Sequence, residues 1–345
     1  MSRLLVTGGS GYFGTILVDR ALERGHAVRI LDVNPPDEHR AGLVDVVVAD
    51  VRDRDAVRAA CDGIDVVLHN VAQVPLARDR DLFESVNVTG TANVLVAARD
   101  AGVAKVVSTS SSAIFGIPDH NPVTEVTPPR PLEAYGRAKA EAEALCREAV
   151  AGGLDVTIIR PRTILGHGRL GIMAILFEFV AEGAPVYVLG SGENRYQFVH
   201  ADDLAAACLL AAERPGSATY NIGSTEFGTM RGLLEALVDH AGTGSKVRSL
   251  PVAPARLAMR GLSVTGQAPF APYHWLLYSE SLWFDTTKAQ AELGWSSTRS
   301  SEAALIESYE WFLANRGSMA AHGDGGSHHQ SPVKLGVLRL LKRLA

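Results

Sequence analysis

The 345-residue chain is 47% hydrophobic and 21% charged, a balance that supports a sizeable buried core and excludes a disordered or fibrous chain. Its formal net charge of -5 provides no concentrated basic face, which argues against nucleic-acid binding. The three cysteines, Cys61, Cys146 and Cys208, match neither a metal-site nor a disulfide spacing, and no run reaches the roughly 18 apolar residues of a membrane span.

Met1-Ser2-Arg3 leads directly into an apolar strand, without a secretory h-region, so cytoplasmic residence is expected. Strands are predicted at Leu4 to Val6, Ala27 to Leu31, Val44 to Val48, Val66 to Leu68, Lys105 to Val107 and Val156 to Ile159. Helices are predicted between them at Phe13 to Arg24, Asp53 to Cys61, Leu82 to Ala101 and Ala134 to Val150. Continuous apolar strands alternating with helices imply an α/β fold, with a parallel sheet covered on both faces and right-handed crossovers. Beyond about residue 160, Pro161, Gly166, Gly168, Gly171, Gly183 and Pro185 break the pattern into shorter pieces. We therefore expect a core at 1–165 and, at 166–316, a smaller lobe that covers the core's cleft and returns some segments to the sheet. Residues 317–332, rich in Gly, Ser and His, read as a flexible linker. Residues 333–345 read as a basic amphipathic helix, with Val333, Val337, Leu340, Leu341 and Leu344 on one face. Such a helix suits an anionic membrane surface, and equally suits docking on its own domain or a neighbouring subunit.

The segment Thr7-Gly8-Gly9-Ser10-Gly11-Tyr12-Phe13-Gly14 closes the first strand and opens the first helix. Gly8 allows the tight turn, Gly11 lets backbone approach a pyrophosphate, and Gly14 lets helix and strand pack closely. The helix N-terminus then offers N–H donors and positive dipole to phosphates. Asp32 ends the second strand, where a carboxylate can accept hydrogen bonds from an adenosine ribose and repel a 2′-phosphate, so NAD is favoured over NADP. These features define a Rossmann doubly wound sheet.

Tyr135 and Lys139 form a YxxxK pair on one face of a predicted helix. An unperturbed tyrosine is a poor base at neutral pH, and a neighbouring ammonium favours the phenolate. YxxxK alone is common by chance. The hydroxyl run Ser108 to Ser112 gives the pair a context, because it follows a strand at the carboxyl end of the sheet, where Rossmann ligands bind.

With these motifs in order, the chain resembles the extended short-chain dehydrogenases/reductases of the NAD-dependent epimerase/dehydratase family. The matches run TGGSGYFG at 7–14, Asp32, DV at 50–51, HNVA at 69–72, NVTGTAN at 87–93, STSSSAIFG at 108–116, YGRAK at 135–139, RPRTILG at 160–166, FVHADDLA at 198–205 and YNIG at 220–223. The resemblance implies Ser111, Tyr135 and Lys139 as the catalytic set. It implies NAD contacts from Gly8, Gly11, Tyr12, Phe13, Gly14, Asp32, Asn34, Asp50, Val51, Val71, Ala72, Asn87, Thr109, Tyr135, Lys139, Pro161 and Thr163. Arg78, Ser112, Arg162, Asn194, Gln197 and His200 are candidate substrate contacts, and no metal is expected. Dehydratases of the family carry an Asp-Glu pair where this chain has Ser112 and Ala113, which counts against elimination of water. Arg195 stands one residue further out than the arginine that nucleotide-sugar enzymes place before the Asp-Asp pair. The resemblance implies a nucleotide-sugar epimerase, or alternatively a dehydrogenase/reductase of a sterol-like or isoprenoid alcohol. It also implies a homodimer through the helices near 82–101 and 134–150.

Overall fold

The computed structural model describes residues 1–73, 80–169, 171–264 and 278–321. Six parallel strands form the core sheet: β1 (Arg3–Thr7), β2 (Ala27–Asp32), β3 (Asp45–Val48), β4 (Val66–His69), β5 (Lys105–Thr109) and β6 (Val156–Pro161). A seventh strand, Ala218–Ile222, pairs in parallel with β6. From that edge the order continues β6, β5, β4, β1, β2, β3. The chain therefore reverses its direction of travel between β1 and β4. A crevice opens there, outside the carboxyl ends of the strands, and most of the candidate side chains line it.

The pleat sends alternate side chains to opposite layers. Leu4, Val6, Val28, Ile30 and Leu68 face the helix Tyr12–Glu23, where Leu17, Val18 and Ala21 meet them. Leu5, Leu31, Val67, Val106 and Ile158 face the other side, against Val57, Ala60, Val94, Ala98 and Cys146. All three cysteines are buried free thiols. Burial pushes the Cys61 and Cys146 thiols up to about 11 and that of Cys208 to about 12.

Residues beyond 165 contribute to two cores. The helix Ala201–Glu213 and the strand Ala218–Ile222 pack on the sheet through Leu204, Ala205, Cys208, Tyr220 and Ile222. A separate core joins Leu165, Phe177, Val188, Phe198, Leu234, Leu237, Leu305 and Tyr309. Trp295 lies in the connection before the last described helix and donates its indole N–H to the Asp203 carbonyl at 2.8 Å. That helix, Ser301–Ala321, runs five residues into the segment expected as a linker. The rest of that segment, and the amphipathic stretch 333–345, lie outside the described residues. Among the described residues, no helix is long and apolar enough to cross a membrane.

The expected single helix at 82–101 is three pieces: Arg80–Glu84, one wide turn of π-helical bonding at Ser85–Thr89, and Gly90–Asp100. The cause is polar. The Asn87 side chain accepts from the Gln73 N–H at 2.8 Å and donates to the Gln73 carbonyl at 3.0 Å. The Thr91 hydroxyl bonds back to the Asn87 carbonyl at 2.7 Å. These bonds compete with the regular helical ladder.

Candidate active site

The crevice is a cleft of about 520 Å³. At one end stands the glycine loop. Gly8 has φ +73°, and a Cβ there would come within 2.8 Å of the Val71 backbone. A Cβ on Gly14 would stand 1.9 Å from the Gly8 carbonyl oxygen, so only glycine lets the helix start this close to the strand. A Cβ on Gly11 would meet only the Gly8 carbonyl, at 3.3 Å, because Gly11 borders the cleft. Among the described residues no side chain caps the helix that begins at Tyr12, and such a helix N-terminus suits a phosphate.

Asp32 is mostly buried and lines the cleft. Its carboxylate accepts from Ser10 N at 3.1 Å and Asn34 N at 2.9 Å, which fixes it at the strand end. Asp50 and Val51 lie beside it. Asp50 is held bidentately by Arg52 at 2.9 and 2.6 Å, and that guanidinium keeps its carboxyl below the usual range.

At the other end the helix that carries Tyr135 and Lys139, Ala134–Ala151, starts with Glu133 as its cap, accepting from Tyr135 N at 2.8 Å and Gly136 N at 2.6 Å. A Cβ on Gly136 would stand 2.5 Å from the Ala113 carbonyl. Glycine there lets the helix press against the turn Ser112–Phe115, which Ser111 caps through its hydroxyl. Tyr135 and Ser111 thus face one cleft from two elements. Phe83 meets the Tyr135 ring edge-on, with centroids 6.1 Å apart. Lys139 lies one turn further along, and its ammonium donates to the Thr109 carbonyl at 2.9 Å. Burial lowers its pKa from 10.5 to about 8.

Two buried networks support this end. One turn beyond Lys139, the Glu143 carboxylate accepts from Ser110 Oγ at 2.7 Å and from Arg160 at 2.8 and 2.7 Å. Arg160 in turn lies over the Phe115 ring. The hydroxyl run, the helix Ala134–Ala151 and β6 are therefore tied together by a hydrogen-bonded ion pair. In the second network, Thr91 donates to the Asn87 carbonyl, so it must accept from His69 Nε2–H at 2.9 Å. His69 Nδ1 then accepts from the Thr7 hydroxyl at 2.8 Å. Burial and the nearby Lys139 push the His69 pKa down to about 3, so its ring is neutral.

The cleft wall includes Gly8, Gly11, Tyr12, Phe13, Asp32, Asn34, Asp50, Val51, Val71, Ala72, Thr109, Ser111, Tyr135, Lys139, Pro161 and Thr163. Gly14 and Asn87 stand behind it, Gly14 under the loop and Asn87 clasping Gln73. Of the substrate candidates, Ser112 and Arg162 line the cleft. Asn194 donates instead to the carbonyls of Tyr278 and Glu280, and the Gln197 amide is spent on Phe284 and Ser224. His200 caps the helix Ala201–Glu213 by accepting from Asp202 N. Arg78 lies outside the described residues. Arg52, Gln73 and Arg169 line the cleft without having been singled out in the sequence. Arg169 stacks over Tyr12, 5.5 Å from its centroid, a contact that no local sequence pattern announces.

A Rossmann cleft that sets a strand-end carboxylate against a Ser/Tyr/Lys set defines an enzyme of dinucleotide-dependent hydride transfer. The model of the NAD dependent epimerase/dehydratase family matches residues 4–223, and the chain belongs to that family. The uncharacterized protein y4nG of Sinorhizobium fredii is 51% identical over 338 residues, covering 98% of this chain and 85% of that protein. A 3 beta-hydroxysteroid dehydrogenase/Delta 5-->4-isomerase of Mycobacterium tuberculosis is 32% identical over 346 residues, covering 91% of each chain. The crystal structure of UDP-glucose 4-epimerase with UDP-glucose from Thermotoga maritima is similar at TM-score 0.76 and 25% identity, covering 91% of this chain and 99% of that one. NAD is the family's cofactor, and the cleft fits it: an uncapped helix N-terminus and open Gly11 for the pyrophosphate, and Asp32 for a ribose.

Proposed function

We propose that this protein is an NAD-dependent nucleotide-sugar epimerase that oxidises a sugar hydroxyl transiently and reduces the ketone on its other face. The observation that carries this reading is Ser111, Tyr135 and Lys139 on one wall of the cleft that Asp32 and the glycine loop also line. Bound NAD supplies the hydride acceptor and donor. Tyr135 takes the hydroxyl proton as the C–H bond breaks and gives it back on reduction, so net redox is zero. The Lys139 ammonium stabilises the phenolate, and Ser111 donates a hydrogen bond to the reacting oxygen. Ser112 and Ala113 supply no carboxyl group for elimination of water. The likeness to UDP-glucose 4-epimerase supports the nucleotide sugar.

The second reading, a net dehydrogenase or reductase of a sterol-like or isoprenoid alcohol, draws on the 3 beta-hydroxysteroid dehydrogenase relative. Turnover followed at 340 nm with added NAD separates the two. Epimerisation of UDP-sugars without absorbance growth is expected, and steady NADH accumulation refutes it. We also read the helices Gly90–Asp100 and Ala134–Ala151 as a homodimer face, where Val96 and Val150 are exposed. Sedimentation at the mass of one chain refutes that assembly. Contact of 333–345 with an anionic membrane, and otherwise cytoplasmic residence, complete the proposal; vesicle flotation tests the contact.

A further inference from the structure

Among the described residues, Arg162 is a buried cation without a counter-anion. Its residue is 2% exposed, yet it lines the cleft. A guanidinium carries five N–H donors. Among the described residues, its one side-chain hydrogen bond is from Nη1 to Ser112 Oγ, at 2.8 Å. Among the described residues its buried Nε has no hydrogen-bond partner. Among the described residues no carboxylate lies within ion-pairing distance of it, whereas Arg52 and Arg160 each hold one. The rings of Tyr196 and Phe284 lie 5.0 and 5.7 Å from Cζ, which offsets part of the charge's lost hydration and supplies no anion. A buried charge left so is costly, and a cleft that retains one is shaped for an anion.

The position says which anion. Ser112 Oγ accepts from Arg162, which leaves its own hydroxyl hydrogen to donate. Ser112 and Arg162 therefore each keep a donor at the cleft, a pair that suits the two oxygens of a carboxylate. Ser112 directly follows Ser111, and both line the cleft with Tyr135 and Arg162, so an anion held by Ser112 and Arg162 shares the end of the cleft that Ser111 and Tyr135 border. The diphosphate of a nucleotide sugar is held away from the reacting carbon by the sugar ring. A carboxylate on the neighbouring carbon is not.

We propose that Arg162 and Ser112 form a carboxylate subsite, and that the substrate is a hydroxy acid whose carboxylate is borne by the carbon next to the oxidised carbinol. This rests on the alcohol-oxidation reading above and narrows its substrate to an acidic sugar or an acidic ring alcohol.

The test is calorimetric titration of the NAD-loaded protein with two matched pairs. One pair is UDP-glucuronic acid and UDP-glucose; the other is a 3β-hydroxysteroid with and without a 4α-carboxylate. In at least one pair the acid binds tighter by roughly 30-fold or more, the span expected for a desolvated charge pair. Arg162→Met brings the two affinities within about threefold, Ser112→Ala narrows the ratio by less, and Arg162→Lys keeps part of it. The wild-type ratio needs no variant, so a misfolded Arg162→Met leaves the test intact. Equal affinities in both pairs, or no binding in either, overturn the subsite. A preference that survives Arg162→Met overturns its assignment to Arg162. Acid-selective binding of the steroid pair alone refutes the nucleotide sugar and supports the carboxylate subsite.

Discussion

Replacing Lys139 with methionine should make the protein more stable and nearly inactive. Burial lowers the lysine's pKa from 10.5 to about 8, with Glu143 offsetting part of the cost. At about 1.4 kcal/mol per pKa unit, burying the ammonium costs roughly 3 kcal/mol. Methionine fills similar space without the charge. It leaves the Thr109 carbonyl without its donor, a loss of about 1 kcal/mol because Thr109 borders the cleft and water can reach it. The net gain is about 2 kcal/mol, a rise in melting temperature of roughly 2–3 °C for a chain of 345 residues. The sign has a pH window. Below about pH 8 the lysine is charged in both states and the penalty is complete. Between about 8 and 10.5 the folded lysine has lost its proton while the unfolded one retains it, so wild-type stability rises with pH. The gap between variant and wild type should close over that window. Calorimetry at pH 7 and pH 10, alongside turnover, measures both parts. Turnover should fall by about 10²–10⁴ with loss of the phenolate's partner. A variant that melts below wild type at pH 7, or a gap that stays constant to pH 10, refutes the reasoning.

Asp32→Ala should weaken NAD about tenfold or more and NADP much less, since the carboxylate both accepts from ribose hydroxyls and repels a 2′-phosphate; titration with both dinucleotides checks the ratio. Gly14→Ala drives a methyl to 1.9 Å from the Gly8 carbonyl, so the helix must retreat; NAD affinity and melting temperature should fall together, by about 1–3 kcal/mol in stability. Glu143→Gln leaves Arg160 buried without its counter-charge and should cost about 3–5 kcal/mol in denaturant unfolding, whereas the exposed Glu148→Gln should leave the midpoint unchanged.

What the sequence revealed was set by distance along the chain. The glycine loop, Asp32 and the Tyr135–Lys139 pair act through neighbours or through one helical turn, so spacing alone exposes them. Even Glu143 continues the step of four from Tyr135 and Lys139. Its partner Arg160 stands 17 residues away, and no local pattern announces that pair. Asn194, Gln197 and His200 looked like ligands because they are polar residues in a loosely patterned region. Their partners include Tyr278, Phe284 and Ser224, found only when the second lobe folds. The helix at 82–101 carries the right apolar period, but period does not register a side-chain amide that clasps a loop 14 residues earlier.

The chain of bonds from Thr7 through His69 and Thr91 to Asn87 runs in one direction only. Each hydroxyl or ring N–H gives to the next acceptor, and the sequence ends on a carbonyl that cannot give back. A proton added to His69 would set two donors against each other at Thr7. With the imidazole pushed down to about 3, mild acid adds no such proton. The floor beneath the glycine loop is thus insulated from acid. A loss of rate on mild acidification therefore does not arise from protonation of His69.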